Sequence, residues 1–253
     1  KDFKFRHRSK KNQIIYTSKK VKNDDEVLNL IDNFLTEKNS FIFESVEKGK
    51  IKGRYTIFGK NPDKIWEFNN NNSYLTKNKK KIKLKDRPDQ LIEKIIEDFK
   101  FETPKKLPKI CSLISGYFSY DSIRYIEKIP NKCKNDLNLP DVRLLRPRTL
   151  VIYDNLKKEI FYIINIFSDE KIKDYAKKYE EIKIELSRIL IQSSLKISNY
   201  LPKKNIKDIK VKSNTSKNKF IKMVNKAKDY IKLGDIFQVV LSQRFEAKLT
   251  KKP

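Results

Sequence analysis

Residues Tyr230–Glu246, YIKLGDIFQVVLSQRFE, lie close to the end of the 253-residue chain and join a helical pattern to a strand-like run. Apolar residues spaced three and four apart predict a helix with one apolar face from Ser216 to Leu233. Ser216 or Asn214 is placed to cap its start, and Gly234 suits the left-handed position just past its end. The β-branched and aromatic run Ile236–Leu241 predicts that a buried strand follows.

Helices and strands are interleaved along the rest of the chain, without the steady βαβα rhythm of a parallel sheet. This order predicts an α+β fold, a layered α/β sandwich with largely antiparallel sheets. The predicted helices are Asp24–Glu37, Pro88–Phe101 and Ser168–Gln192, and the predicted strands are Phe41–Val46, Arg54–Gly59, those within Trp66–Leu84, Leu150–Tyr153 and Ile160–Phe167.

The chain is strongly basic, with 59 Lys and Arg against 32 Asp and Glu and a net charge of +27. Such a charge raises nucleic acid as a partner, and a basic nucleic-acid-binding module is one alternative function. Only ten of the basic residues are arginine, however, and the lysines are spread among acidic residues along nearly every element. Lysine is the weaker residue for bidentate recognition of phosphate and bases, so we interpret most of this charge as solvated surface and expect no nucleic acid partner.

Several common site types are excluded by residue counts. The two cysteines, Cys111 and Cys133, are too few for a disulfide framework or a four-ligand zinc site, and they fit a reducing, cytoplasmic location. The one histidine, His7, lies in a basic N-terminal segment that we expect to be mobile, which makes a catalytic role improbable. The five glycines form no phosphate loop, and no apolar run is long enough to span a membrane.

Residues Gly234–Phe245, GDIFQVVLSQRF, resemble the signature that opens the chorismate-binding domain of anthranilate synthase component I. Two earlier blocks resemble the same family in the same order, Phe41–Pro62 and the Gly-Tyr-Phe segment at Gly116–Tyr125, in which Ser119 replaces the family's usual glycine. Asp136–Pro147 continues this likeness. The resemblance implies the family's two-domain α/β sandwich.

The resemblance also implies a division into domains. Residues 1–200 would form the N-terminal regulatory, tryptophan-binding domain, 201–215 a connection, and 216–253 the beginning of the chorismate-binding catalytic domain. Because the chain starts at Lys1 and stops at Pro253 directly after a predicted strand, we expect a fragment of a longer protein.

A regulatory site is implied at the end of the strand Phe41–Val46. The family usually has Leu-Leu-Glu-Ser there, with the serine helping to hold the feedback inhibitor L-tryptophan; this chain has Ile42-Phe43-Glu44-Ser45. The resemblance therefore implies that Ser45 and Glu44 bind tryptophan, and a carboxylate such as Glu44 is suited to accept from its ammonium group. The pattern alone favours the other interpretation, that the two residues begin a loop.

The family converts chorismate and ammonia, delivered by a glutamine amidotransferase subunit (component II), to anthranilate and pyruvate. The resemblance implies Mg²⁺ as cofactor, with its ligands and the catalytic residues in motifs beyond Pro253. We therefore assign no catalytic or metal residue within this chain, and we expect residues 1–253 alone to be inactive.

One residue of the opening stretch bears on the reaction type. Related isochorismate-forming enzymes have a lysine at the position of Gln238 that activates water, whereas glutamine cannot act as that base near neutral pH. Gln238 thus fits an active-site lining in an enzyme that uses ammonia, although it is equally consistent with a strand residue hydrogen-bonded at the edge of the site. Aminodeoxychorismate synthase component I, which also uses ammonia, remains an alternative; Val239–Gln243 and the Glu44-Ser45 pair favour anthranilate synthase.

Overall fold

The computed structural model describes residues 2–22, 25–35, 37–44, 53–131, 135–194 and 210–248. Contacts between residues divide the chain into two compact units, Lys1–Ser198 and Asn199–Pro253. In the described part of the chain, no helix is both long and apolar enough to cross a membrane.

The first unit contains both helices and strands, together with a short 3₁₀ helix at Tyr120–Tyr125. In chain order the elements are α1 (Asp2–Arg8), β1 (Gln13–Lys20), α2 (Asp25–Phe34), β2 (Phe41–Phe43), β3 (Tyr55–Asn69), β4 (Asn72–Lys77), β5 (Lys80–Leu84), α3 (Pro88–Asp98), β6 (Ser115–Phe118), β7 (Val142–Asp154), β8 (Glu159–Ile166) and α4 (Tyr175–Ser194).

These strands form one sheet in which β3 and β7 are the two long central strands. The sheet order is β1-β8-β7-β3-β4-β5, with β2 added to β3 and β6 added to β7. Both central strands change partners along their length: the first half of the sheet is β1-β8-β7-β3-β2, and the second half is β6-β7-β3-β4-β5. The register between β3 and β7 shifts between Pro62 and Lys64, beside Asn61 at φ 51°. All ladders between described strands are antiparallel, which confirms the predicted α+β class with a largely antiparallel sheet.

The first half of the sheet is buried on both faces. Along β7 and β8, Val151, Tyr153 and Tyr162 face a core shared with α2 and α4, whereas Leu150 and Ile152 face a second core under the loop that carries Cys111. Successive side chains of a strand point to opposite faces, so a strand covered on both sides becomes a continuous apolar run. Cys111 is fully buried in that second core, as a small core residue is expected to be; Cys133 lies outside the described residues.

The second half of the sheet is covered by α3. Leu91 and Ile95 of this helix pack against Trp66 and Phe68 of β3. Pro88 occupies the first turn of the helix, as predicted, where its missing N–H costs nothing.

Asparagine residues form the two hairpin turns that join β3, β4 and β5. Asn70 connects β3 to β4 and Asn78 connects β4 to β5, both at φ 51°. Asparagine tolerates this left-handed region better than most residues, which suits it to these exposed turns. Lys79–Lys81 are exposed at the start of the edge strand β5, where their charge disfavours pairing with another strand.

The expectation of a mobile N-terminal segment was wrong. Residues Asp2–Arg8 form α1, and His7 is buried, with only 7% of its surface exposed. His7 Nδ1 lies 3.1 Å from the hydroxyl of Tyr175, and Phe3 packs edge-on against the same ring. Aromatic residues within the basic segment therefore fix it to α4.

Three predicted helices are shorter than expected, and the one predicted over Pro88–Phe101 ends at Asp98. The helix predicted to start at Ser168 begins at Tyr175, because the side chain of Asp174 caps it by accepting from Lys177 N at 3.0 Å. The residues before it form a turn, in which Ser168 N donates to Asn12 Oδ1 at 2.9 Å. The helix predicted over Asp24–Glu37 is described as Asp25–Phe34; Asp24 lies outside the described residues.

The second unit contains β9 (Val211–Ser213), α5 (Lys217–Leu233) and β10 (Phe245–Ala247), so a strand lies within the predicted connection 201–215. Both predicted caps of α5 are confirmed: Ser216 Oγ accepts from Lys219 N at 3.3 Å, and Gly234 adopts φ 78°.

The buried strand predicted at Ile236–Leu241 was wrong. These residues pair with no described strand, and Phe237 and Val240 are 96% and 82% exposed. The described sheet of this unit consists only of β9 and β10, three residues each. A β-prone run becomes a buried strand only where neighbouring strands and a second layer cover it, and the described part of this unit offers neither.

Candidate functional site

Glu44 is the one member of the predicted tryptophan-binding pair that the structure places. It directly follows β2 and is exposed. Ser45 and the residues up to Lys52 lie outside the described residues, so the structure does not bring the pair together. The site is therefore described from the strands on either side of this gap.

Two aromatic side chains, Phe41 and Phe43, lie on β2, the strand that ends one residue before Glu44. The rings of Phe41 and Phe43 are 5.0 Å apart, and Phe43 is 47% exposed. Phe41 pairs with Gly59 of β3, where an added Cβ would lie 2.1 Å from the Phe41 ring. The glycine thus leaves the space that the Phe41 ring fills. The exposed ring of Phe43 suits a ligand with an aromatic group.

The start of β3 is held on the opposite side of the gap by Arg54. Its guanidinium donates to both carboxylate oxygens of Asp154, at 3.0 and 2.7 Å. Burial alone would raise the pKa of Asp154, but hydrogen bonds from Arg54 and from the backbone N–H groups of Lys157 and Leu156 hold that pKa below its ordinary value. The sequence pattern does not reveal this pair, because Arg54 and Asp154 lie 100 positions apart.

The Gly-Tyr-Phe segment is fixed to the entry of β7. Gly116 pairs with Leu144, and Ser119 N donates to Asp141 O at 2.7 Å. Asp141 Oδ2 accepts from the Tyr125 hydroxyl at 2.9 Å and from Asn70 N at 2.8 Å. Burial and the hydrogen bond to Asp141 raise the pKa of the Tyr125 phenol. The segment therefore supports the sheet.

Replacing Gly116 by alanine is expected to lower the free energy of unfolding by about 1–3 kcal/mol. The added Cβ would lie 1.9 Å from the backbone oxygen of Arg143, which cannot move without opening the β6–β7 ladder. Urea denaturation measures the change. Ser119→Ala is the control, since no described residue bonds its buried hydroxyl; equal stability of the two variants would contradict the close approach at Gly116.

Gln238 lies in the second unit on the extended stretch after α5, and it is exposed. No described residue is recorded as its hydrogen-bond partner. Its proposed role as active-site lining stays a prediction, because the strand expected to carry it is not formed.

A metal site is not assembled by the described residues. No three His, Cys, Asp or Glu side chains of the ranges given above are grouped as a metal ion would require.

Comparison with known proteins gives a consistent result. A family model described as chorismate binding enzyme matches residues 38–253. The chain is 34% identical over 233 residues to anthranilate synthase component 1 of Acetivibrio thermocellus, which covers 89% of this chain and 47% of that protein. It is 29% identical over 242 residues to the same component of Cereibacter sphaeroides, covering 92% and 48%.

A solved structure agrees with these relatives. The crystal structure of anthranilate synthase component I from Streptococcus pneumoniae TIGR4 matches with a TM-score of 0.65 at 25% identity, over 87% of this chain and 46% of that one. The chain spans about half the length of the relatives that it matches.

Proposed function

The chain belongs to the family of chorismate-binding enzymes, and from that premise we propose that it is part of the large subunit of an anthranilate synthase. The observation that carries the proposal is the match to anthranilate synthase component 1 over about nine tenths of this chain, in relatives from separate organisms. The whole protein would convert chorismate and ammonia to anthranilate, pyruvate and water.

The proposed reaction has two stages. Ammonia forms a carbon–nitrogen bond to the chorismate ring while the ring hydroxyl leaves as water. The aminated intermediate then loses a ring proton and its enolpyruvyl group, which departs as pyruvate, and the ring becomes aromatic. Glutamine at position 238 is compatible with ammonia as nucleophile because it is no base for activating water.

The residues that carry this chemistry are proposed to lie beyond residue 253, together with the ligands of Mg²⁺. When bound, Mg²⁺ would neutralise carboxylate charge on chorismate. A glutamine amidotransferase subunit, component II, is the proposed source of ammonia. Within this chain, the first unit supplies the strands that flank Glu44, and we assign it regulation rather than catalysis.

The test compares the full-length protein with residues 1–253. With chorismate, ammonium and Mg²⁺, the full-length protein is expected to form anthranilate, followed by its fluorescence, and EDTA is expected to abolish the reaction. Residues 1–253 under the same conditions are expected to form none. Anthranilate made by residues 1–253 would contradict the placement of the catalytic residues, and a full-length protein inert toward chorismate would contradict the proposed activity.

The regulatory ligand that we propose is L-tryptophan. Glu44 would accept a hydrogen bond from its ammonium group, and its indole would lie against the side chains of Phe41 and Phe43 on β2. Ser45 would hold the inhibitor with its hydroxyl, and the rest of the slot would come from residues outside this chain.

Replacing Ser45 by alanine in the full-length protein is expected to raise the tryptophan concentration for half-inhibition by at least about tenfold, since a hydrogen bond to a charged group contributes about 1.5–3 kcal/mol. The rate without tryptophan should not change. Ser40→Ala is the matched control, because the Ser40 hydroxyl donates to Glu37 O at 2.7 Å within its own turn. Wild-type inhibition in the Ser45 variant would remove Ser45 from the site.

A further inference from the structure

A cavity of about 560 Å³ lies between α3 and the second half of the sheet. Its volume is within the range of small-molecule sites. Trp66, Leu91 and Ile95, each only 6% exposed, line it. The apolar side chains that line it, which we call its floor, are Trp66, Leu75, Leu84, Leu91, Ile95, Phe99 and Ile114.

One charged side chain at this cavity is nearly buried. Arg146, 8% exposed, lines the cavity and stacks on Phe167, with the guanidinium carbon 3.8 Å from the ring centroid. Its Nε donates to Asp63 at 2.8 Å, and its Nη2 donates to Asp63 and to Asp169, the latter at 2.8 Å. In the described part of the chain no acceptor is recorded for Nη1, so two of the five N–H donors of this group are uncommitted.

The other charges that line the cavity are of both signs. Asp169 is already paired with Lys64 and Arg146. The remaining carboxylates that line the cavity are exposed to solvent. Three lysines that line it are also exposed, and none of them forms an ion pair with a described residue. These exposed residues are Asp86, Glu97 and Asp98, and Lys10, Lys94 and Lys100. The buried charge that still has unused N–H donors is therefore the Arg146 cation, beside the apolar floor.

We propose that this cavity binds a small aromatic carboxylate. The ring lies on the floor formed by Trp66, Leu91 and Ile95, and the carboxylate accepts from Nη1 of Arg146. An apolar floor with one buried cation favours this class over an uncharged aromatic molecule, which leaves the Nη1 donors unsatisfied, and over a short carboxylate, which leaves the floor uncovered. The site lies on the second half of the sheet, whereas Glu44 follows β2 in the first half, so the inference goes beyond the proposed function.

The test uses Trp66 as an internal reporter, because it is the single tryptophan of the chain. In ¹⁵N-labelled residues 1–253, the indole N–H resonance of Trp66 is followed during titration with 2-naphthoate, with its neutral analogue 2-naphthalenemethanol, and with acetate. We expect a saturable shift with 2-naphthoate, binding of the alcohol at least about tenfold weaker, and no shift with acetate. Equal affinity for the acid and the alcohol, or no saturable shift with 2-naphthoate, overturns the proposal.

A pair of variants ties the shift to this cavity. Leu84→Phe narrows the floor and is expected to weaken 2-naphthoate binding by at least about tenfold. Ile82→Phe, two residues earlier on β5, is the control, because Ile82 is 50% exposed and does not line the cavity. Wild-type affinity in the Leu84 variant also overturns the proposal. Neither variant touches Glu44 or Gln238, so a failure here leaves the proposed function standing.

Discussion

Replacing Arg146 by glutamine is expected to lower the free energy of unfolding by about 3–5 kcal/mol, because it removes the cation from a nearly buried ion pair. Asp63, whose side chain is 11% exposed, would then lose the cation with which it forms its ion pair. The stacking of the guanidinium on Phe167 is lost as well. A shift in the urea denaturation midpoint at constant slope measures the change.

Arg124→Gln is the matched control for the Arg146 variant. Arg124 pairs with Asp121 at the surface, where the two side chains are 25% and 57% exposed. Exposed ion pairs contribute about 1 kcal/mol or less, so this variant should be nearly as stable as the wild type. Similar losses in both variants would contradict the importance of burial at Arg146.

The same cluster predicts a pH dependence. Burial alone would raise the pKa of Asp169, but Lys64 and Arg146 lower it to about 2 from its ordinary value of 3.8. Since the folded pKa lies below the unfolded one, the stabilisation is fully present above about pH 4 and is lost as the pH falls toward about 2. Denaturation of the wild type and of Asp169→Asn across this range measures it, and the variant should show a weaker dependence.

Replacing Phe58 by alanine is expected to cost about 3–5 kcal/mol through the cavity that it leaves. Phe58 is fully buried, and its ring lies 5.8 Å from that of Phe34 in the core between the sheet and α2. It also pairs with Ile42, two residues before Glu44, so the substitution should loosen the strand that positions the proposed tryptophan site.

The control for Phe58 is Phe118→Ala. Phe118 is 57% exposed at the end of β6, and truncating an exposed side chain usually changes stability by about 0.5 kcal/mol or less. Thermal or urea denaturation compares the two variants. A Phe58 variant as stable as the Phe118 variant would place Phe58 outside the core.

Much of the fold could be predicted because its signals are local. The caps of α5 at Ser216 and Gly234, the asparagine turns and the pairing of Phe41–Phe43 with β3 all follow from residue type and spacing. Such features depend on a few neighbouring residues, whose backbone preferences are the same in any fold.

The features that sequence reasoning missed depend on tertiary contacts. Ile236–Leu241 has the composition of a strand, but the described part of the second unit provides no partner for it. His7 is buried because Tyr175, 168 positions away, packs against it. Likewise, Arg146 meets Asp63 across 83 positions. Periodicity carries no information on such distant pairs.

The candidate site was predicted less completely than the fold. The resemblance named Glu44 and Ser45, and the structure places Glu44 at the end of β2 beside exposed Phe43. It does not describe Ser45, and Gln238 lies on an exposed stretch rather than on a strand. Tryptophan binding, the amidotransferase partner and Mg²⁺ therefore stay predictions.

The most direct test of the proposed activity is the ratio of pyruvate to anthranilate formed by the full-length protein from chorismate and ammonium. Anthranilate synthesis releases one pyruvate for each anthranilate, whereas amination to aminodeoxychorismate retains the enolpyruvyl group. We predict equal amounts of the two products, appearing together as chorismate is consumed. Consumption of chorismate with an aminated product but neither anthranilate nor pyruvate would contradict the account and favour aminodeoxychorismate synthase.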